Sequence, residues 1–379
     1  MLKKLVAYDL QQSQVPGHIY LDMVTKNVGY ENQPIDLHFS ETRGHNIVDD
    51  AASYSVAVAR FSIDTLSLPV WIPLVQTGQP NVNLSVYSFT MTYKDFTHQQ
   101  YLQFLPQDST ILAPQPPTDV QDMSSEYYFV HSFQYVVDLL NNTFKQALAG
   151  LKTKVEAGGD SLPTNTAPWF SYDPSSSELI LNADENGFEE TLMNPISVYM
   201  NDAMHKLISS FQTYNYSVGA TNGMQYKFRI YNSHGQNRME LANDLNVLLM
   251  FQEYPCTGQW SPIESLLFTS SNLPIRKSLV PKGTIFGGGA QPGSSFSDLE
   301  IATLTDFIIS QESGKESRGS IEMVPYFYRK IDLTSHSSVN AVHISVFWKD
   351  VYGNIYPIKL PSGTSATIKL VFIRRGLEA

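Results

Sequence analysis

The sequence is poor in the residues that usually announce chemistry. Its 379 residues hold a single cysteine, Cys256, so an internal disulfide framework is excluded. That usage fits folding in a reducing compartment, where a lone cysteine is normally a small buried hydrophobe. Charge is scarce as well. Asp, Glu, Lys and Arg make up 16% of the chain, against roughly 25% in an average globular domain. A large share of the surface must then be uncharged, as expected of a protein whose neighbours cover it. No run approaches the ~20 apolar residues of a membrane span, and Met1 to Ala7 lacks the apolar core of a signal peptide. The three Asn-x-Ser/Thr sequons at Asn83, Asn141 and Asn215 are therefore discounted as glycosylation sites.

Catalytic and ligand-binding signatures are missing too. The cluster Gly283 to Ala290 lacks the Gly-Lys-Ser/Thr ending of a phosphate-binding loop and reads as a connection between strands. Nine histidines lie scattered with no His-Glu-x-x-His, and one cysteine cannot build a thiolate zinc site. There is no Gly-x-Ser-x-Gly elbow. The carboxylate pairs Asp49-Asp50 and Glu189-Glu190 are adjacent in sequence and read as solvated turns rather than a glycosidase pair. No catalytic, cofactor-binding or metal-ligating residue is assigned, no cofactor is expected, and the chain is read as a non-enzyme.

A net charge of −11 argues against nucleic acid as the main partner. The imbalance is uneven. From Gly319 onward, seven cations (Arg329, Lys330, Lys349, Lys359, Lys369, Arg374, Arg375) face four acids (Glu322, Asp332, Asp350, Glu378). Any weak contact with DNA belongs to this C-terminal part. Ordinary surface scatter explains the same distribution.

What the chain does have is aromatic and turn-forming residues: 20 Phe, 21 Tyr, 21 Pro and 22 Gly, a mixture that favours short strands. Period-two patterning marks strands at His18 to Asn27, Ser53 to Asp64 and Ser85 to Tyr93. The proline-rich stretch Pro106 to Asp119 is a candidate boundary. Beyond it Ser132 is a candidate N-cap for a helix whose Phe133, Val136, Val137, Leu140, Phe144 and Leu148 share a face, ending near Gly150. A strand pair at Pro168 to Pro174 and Glu178 to Ala183, a second helix from Pro195 to Phe211, and strands at Tyr226 to Tyr231 and Asn246 to Glu253 complete a mixed middle section. After Tyr254 to Pro262 the pattern is again strand, at Ile263 to Thr269, Leu299 to Ile309, Ile321 to Leu333, Ala341 to Trp348 and Thr367 to Arg374.

The expected fold is mainly β: a single eight-stranded antiparallel jelly roll with a mixed α/β insertion between the third and fourth strands. The expected domains are 1–105 and 257–379 for the jelly roll and 106–256 for the insertion. Dense C-terminal aromatics (Phe327, Tyr328, Phe347, Trp348, Tyr352, Tyr356) suit both core packing and interface anchoring.

The run Leu304-Thr305-Asp306-Phe307, then Tyr326 to Leu333, Val346 to Asp350, Gly353-Asn354 and Pro357 to Leu360, resembles the end of the penton, or minor capsid, proteins of virophages and Polinton-like elements, the Sputnik-type virophage penton above all. The match covers about Leu299 to Arg375. The resemblance implies a homopentamer at the capsid vertex, an insertion that projects outward, contact with trimers of a double jelly-roll major capsid protein, and a place in a virion assembled in the host cytoplasm. A receptor- or glycan-binding viral surface module is the alternative reading.

Overall fold

The structure is a computed structural model that describes residues 17–29, 34–119, 121–216, 223–241, 245–279, 300–308 and 320–376. Along the chain the main elements are β1 (His18–Lys26), β2 (His38–Thr42), β3 (Tyr54–Asp64), β4 (Leu84–Tyr93), β5 (Phe96–Gln103), α1 (Phe133–Ala157), β6 (Trp169–Asp173), β7 (Glu178–Asp184), β8 (Ser197–Met200), α2 (Asp202–Leu207), β9 (Thr213–Asn215), β10 (Tyr226–Phe228), β11 (Arg238–Leu241) and β12 (Leu245–Phe251). They continue with β13 (Ile263–Ser270), β14 (Thr303–Ile308), β15 (Ser320–Met323), β16 (Ile331–Asp332), β17 (Ala341–Asp350), β18 (Ile355–Pro357) and β19 (Ser365–Arg374). The protein is mainly β, and the strand pairs joining these elements are antiparallel. The chain divides into two compact units, Met1–Leu68 with Ile263–Ala379, and Pro69–Pro262.

In the first unit one sheet runs β1-β19-β3-β15, with β16 also on β3, and the other runs β14-β13-β17-β18, with β2 also on β17. Their inner faces meet through Phe61 of β3, whose ring lies 6.4 Å from Phe39 of β2 and 4.9 Å from Phe268 of β13, edge on to both. The alternation of β17 places Val342, Ile344, Val346 and Trp348 inward, all 1% exposed or less. This is period-two burial against a single core.

In the second unit α1 packs on β4, β5 and β6. Phe144 of α1 stacks 4.0 Å from Phe89 of β4 and sits 5.2 Å from Phe170 of β6. One sheet runs β9-β10-β8-β4-β5 and another β11-β12-β7-β6.

Several expectations differ from this arrangement. Ser85 to Tyr93, counted as the third jelly-roll strand, pairs with β5 and β8 inside the second unit. The unit boundaries consequently fall at Leu68 and Pro262, and the proline-rich stretch after Pro106 lies within the second unit. The missed strand is β2, which is only five residues long and buries one large side chain, Phe39. The expected strand from Ile321 to Leu333 is split into β15 and β16, because Pro325 has no N–H for the ladder and residues 324–330 leave it. Helix α1 runs past Gly150 to Ala157. A Cβ at Gly150 would lie 2.1 Å from His98 Nε2, so this glycine serves a close approach to β5 and not a stop. The helix ends at Gly158-Gly159, where Gly159 takes φ +79°. The Ser132 hydroxyl makes no capping bond. The second expected helix, Pro195 to Phe211, is divided: its start is β8, where Val198 and Met200 point inward, and Asn201 then caps the short helix α2 by accepting from Met204 N–H at 2.9 Å. The Gly283 to Ala290 cluster lies outside the described residues.

Candidate assembly surface

The residues that chemistry would need are already occupied. Asp50 accepts from the Ser53 hydroxyl at 2.6 Å and lies 3.0 Å from His336 Nδ1; the Ser53 bond first, then His336, hold its carboxyl below the usual value. Asp49 accepts from Asn46. Glu189 accepts from the Thr191 N–H and hydroxyl, and Glu190 pairs with Arg229 at 3.3 Å. Each adjacent carboxylate pair therefore faces separate partners. Cys256 is fully buried, and burial pushes its thiol up to about 11, so it is protonated and shielded at neutral pH. Among the described residues no group of three or more His, Cys, Asp or Glu is placed to hold a metal ion, and no helix is long and apolar enough to cross a membrane.

The C-terminal aromatics separate into two populations. Trp348 and Tyr356 are buried and stacked 4.2 Å apart. Phe347 is half-buried within β17, and the others emerge where strands give way to turns. Between β15 and β16, Val324 is 64% exposed, Tyr326 92%, Phe327 81% and Tyr328 40%. Tyr326 and Phe327 pack edge to face on one another, at 4.6 Å. Both ends of this ridge are fixed. Glu322 and Met323 are in register with Ser62 and Phe61 of β3, and Arg329 pairs with Asp306 of β14 at 2.7 Å. Asp332 accepts from Ser55 at 2.7 Å and pairs with Arg375 at 3.3 Å. Four exposed, largely apolar side chains held on an anchored segment form a ridge, a patch of the kind that marks interaction surfaces.

A second projection lies at the β17–β18 hairpin, where Val351 and Tyr352 are 67% and 72% exposed. Its turn is organised by the buried carboxylate of Asp350, which accepts from the N–H groups of Tyr352 and Asn354, from Asn354 Nδ2 at 2.9 Å and from the Tyr356 hydroxyl at 3.2 Å.

Five of the seven C-terminal cations are engaged in ion pairs: Arg329 and Arg375 as above, Lys349 with Glu264 at 2.9 Å, Lys359 with Asp36 at 2.6 Å and Lys369 with Asp22 at 3.3 Å. The positive excess read from the sequence is thus met by acids of the same unit. Sequence reasoning named Phe327, Tyr328 and Tyr352 within an undivided aromatic set. The signal that separates them is Pro325 and Gly353, which mark where the chain leaves the ladder.

Comparison with known proteins agrees with an assembly role. Structural protein V19 of Sputnik virophage is 27% identical over 214 residues, spanning 55% of this chain and 95% of that protein. Uncharacterized protein V18 of the same virophage is 26% identical over 157 residues, spanning 40% of this chain and 94% of that protein. A chain in the 3.5 Å cryo-EM structure of the Sputnik virophage superposes with a TM-score of 0.77 at 26% identity, covering 96% of this chain and 99% of that one. The crystal structure of mavirus penton protein superposes with a TM-score of 0.60 at 18% identity, covering 95% and 100%, a likeness of fold. The sequence family described as Sputnik minor capsid protein V18/19 matches residues 19–374, and the chain belongs to that family of virophage structural capsid proteins.

Proposed function

We propose that this chain is the penton of an icosahedral virophage capsid: five copies close into a ring at each vertex and contact neighbouring trimers of a double jelly-roll major capsid protein. The first unit is read as a single eight-stranded jelly roll. What supports this is strand order. Counting β15 and β16 as one strand and setting aside the short hairpin strand β18, the first unit's strands lie in the order first, eighth, third, sixth in one sheet and fifth, fourth, seventh, second in the other. That interleaving is the one two nested Greek keys generate. The second unit is then an insertion between the third and fourth strands, read as projecting outward from the vertex.

The observation that carries the assembly role is the anchored ridge Val324 to Tyr328. Ring closure needs a heterologous contact repeated without symmetry between its two halves, and exposed aromatics are the residues that anchor such contacts. The ion-paired C-terminal cations give no separate support to a DNA contact, which would show as assembly that weakens with rising salt.

The test is the native mass by light scattering, for the protein alone and mixed with the major capsid protein. A particle of five subunits, alone or only with the partner, is expected. The double variant Tyr326→Ser with Phe327→Ser should lose that particle while its unfolding midpoint stays near the parent's, because both side chains are exposed. A stable monomer or trimer indifferent to the partner overturns the reading in favour of a receptor-binding module.

A further inference from the structure

The second unit holds a cleft that the assembly role does not use. It lies between one stripe of α1 (Asn141, Lys145, Leu148, Ala149 and Lys152) and the extended segment from Asn165 to Trp169, and its volume is about 520 Å³. This is within the ~300–1,000 Å³ of small-ligand sites. The two walls are tied at both ends. Asn141 accepts from Phe170 N–H at 2.7 Å and donates to Phe170 O at 2.9 Å, and Lys152 Nζ donates to Asn165 Oδ1 at 2.8 Å. Eleven residues of helix separate these ties, so the slot is about 16 Å long.

The extended wall is built to keep its shape. Thr164 is buried, its hydroxyl donates to the Asp184 carboxylate, and its oxygen accepts from Thr166 N–H at 3.0 Å. A Cβ at Gly187 would sit 2.1 Å from Thr164 Cγ2, so the segment rests directly on the backbone beneath it. In β6 Phe170 points into the core, which turns Trp169 to the opposite face and leaves its indole half-exposed at the cleft.

Three properties define what this slot accepts. The half-buried indole of Trp169, backed by buried Pro168, offers a flat apolar platform. Asn165 and Thr166 offer an amide and a hydroxyl. Lys145, exposed and with no acidic partner among the described residues, offers a free ammonium, in a chain whose net charge is −11. A shallow platform with hydroxyl-matching groups suits the mixed face of a pyranose ring. The uncompensated lysine selects one that carries an anion. We propose that this cleft binds an acidic saccharide, with the sugar ring against Trp169 and Pro168 and its carboxylate or sulfate at Lys145.

The protein carries its own reporter. Trp71, Trp260 and Trp348 are 2%, 3% and 1% exposed, so direct contact of a soluble ligand with an indole is at Trp169. The full chain is titrated with a glucuronate-terminated disaccharide, a sulfated disaccharide, neutral lactose and inorganic phosphate. The acidic sugars should shift the emission with Kd on the order of 1 mM, and lactose should bind roughly tenfold or more weakly, which is the share of one charge-assisted hydrogen bond. The two acidic sugars tell carboxylate from sulfate. Lys145→Ala should bring the acidic sugars down to the lactose level without changing the unfolding midpoint, and Trp169→Phe should remove the signal. The proposal fails if no sugar shifts the emission, if lactose matches the acidic sugars, or if phosphate alone binds as tightly as they do. The oligomeric state does not enter this readout, so its outcome is independent of the vertex reading.

Discussion

At the scale of single residues, Asp350 carries an unusual amount of structure. Its buried carboxylate accepts from four donors in the turn that follows β17. Asp350→Ala would remove the acceptor these four hydrogen bonds share, at a cost of about 3 kcal/mol. The expected result is a clear fall in the denaturation midpoint together with loss of order at Val351 and Tyr352. An unchanged midpoint would show that water replaces the carboxylate. Histidines set the pH response. Burial holds His38, His98 and His205 below the ordinary 6.5, with His343 adding to the effect on His38 and Lys154 to that on His98. A lowered folded value means that the unfolded chain takes up the proton first. Stability from these groups is therefore complete above pH 6.5 and declines as pH falls below it. Melting curves should show this decline, and replacing His38, His98 and His205 by Gln should flatten it. The carboxyl groups of Asp50, Asp108, Asp160 and Asp173, held below 3.8 by hydrogen bonds from neighbouring side chains first, contribute their own loss only below that value.

At the scale of elements, α1 shows how one side chain can stand in for a missing strand. β6 is a sheet edge, and Asn141 supplies the N–H and C=O partners that another strand would have given Phe170. Asn141→Ala should cost about 1–3 kcal/mol and raise hydrogen exchange at Phe170. Unchanged exchange there would sink that account. Elements are also where sequence and structure agree unevenly. β17 and the first half of β19 were legible because buried positions alternate with more exposed ones, and β13 because it is a short, almost wholly buried apolar run. β2 was not, since five residues with one inward aromatic give no period to read. β4 was legible as a strand and misassigned in place, because the alternation of Tyr87, Phe89, Met91 and Tyr93 records that one face is buried and says nothing of which sheet buries it. The exposed ridge was hidden for a related reason. Tyr326 and Phe327 have the composition of core residues, and only the departure from the ladder at Pro325 reveals that they have no core to enter.

At the scale of the whole molecule, the low charge content reads differently once the ion pairs are placed. The cations of the C-terminal part are met by acids of the same unit, so that unit can press against neighbours without opposing a field of one sign. Pentamer mass measured across rising salt should change little if the ridge, rather than these pairs, holds the copies together; dissociation by moderate salt would point to the charges instead. The strand pairing also has a consequence in time. β1 lies in register with β19, His18 opposite Ile373, so partners in one ladder leave the ribosome about 350 residues apart. The second unit is continuous from Pro69 to Pro262 and can fold while the rest is still being made. The first unit must wait for its last strand. An unfinished chain therefore lacks β19, the strand that joins β1 to β3, and the first unit's sheet closes only once that strand has been made.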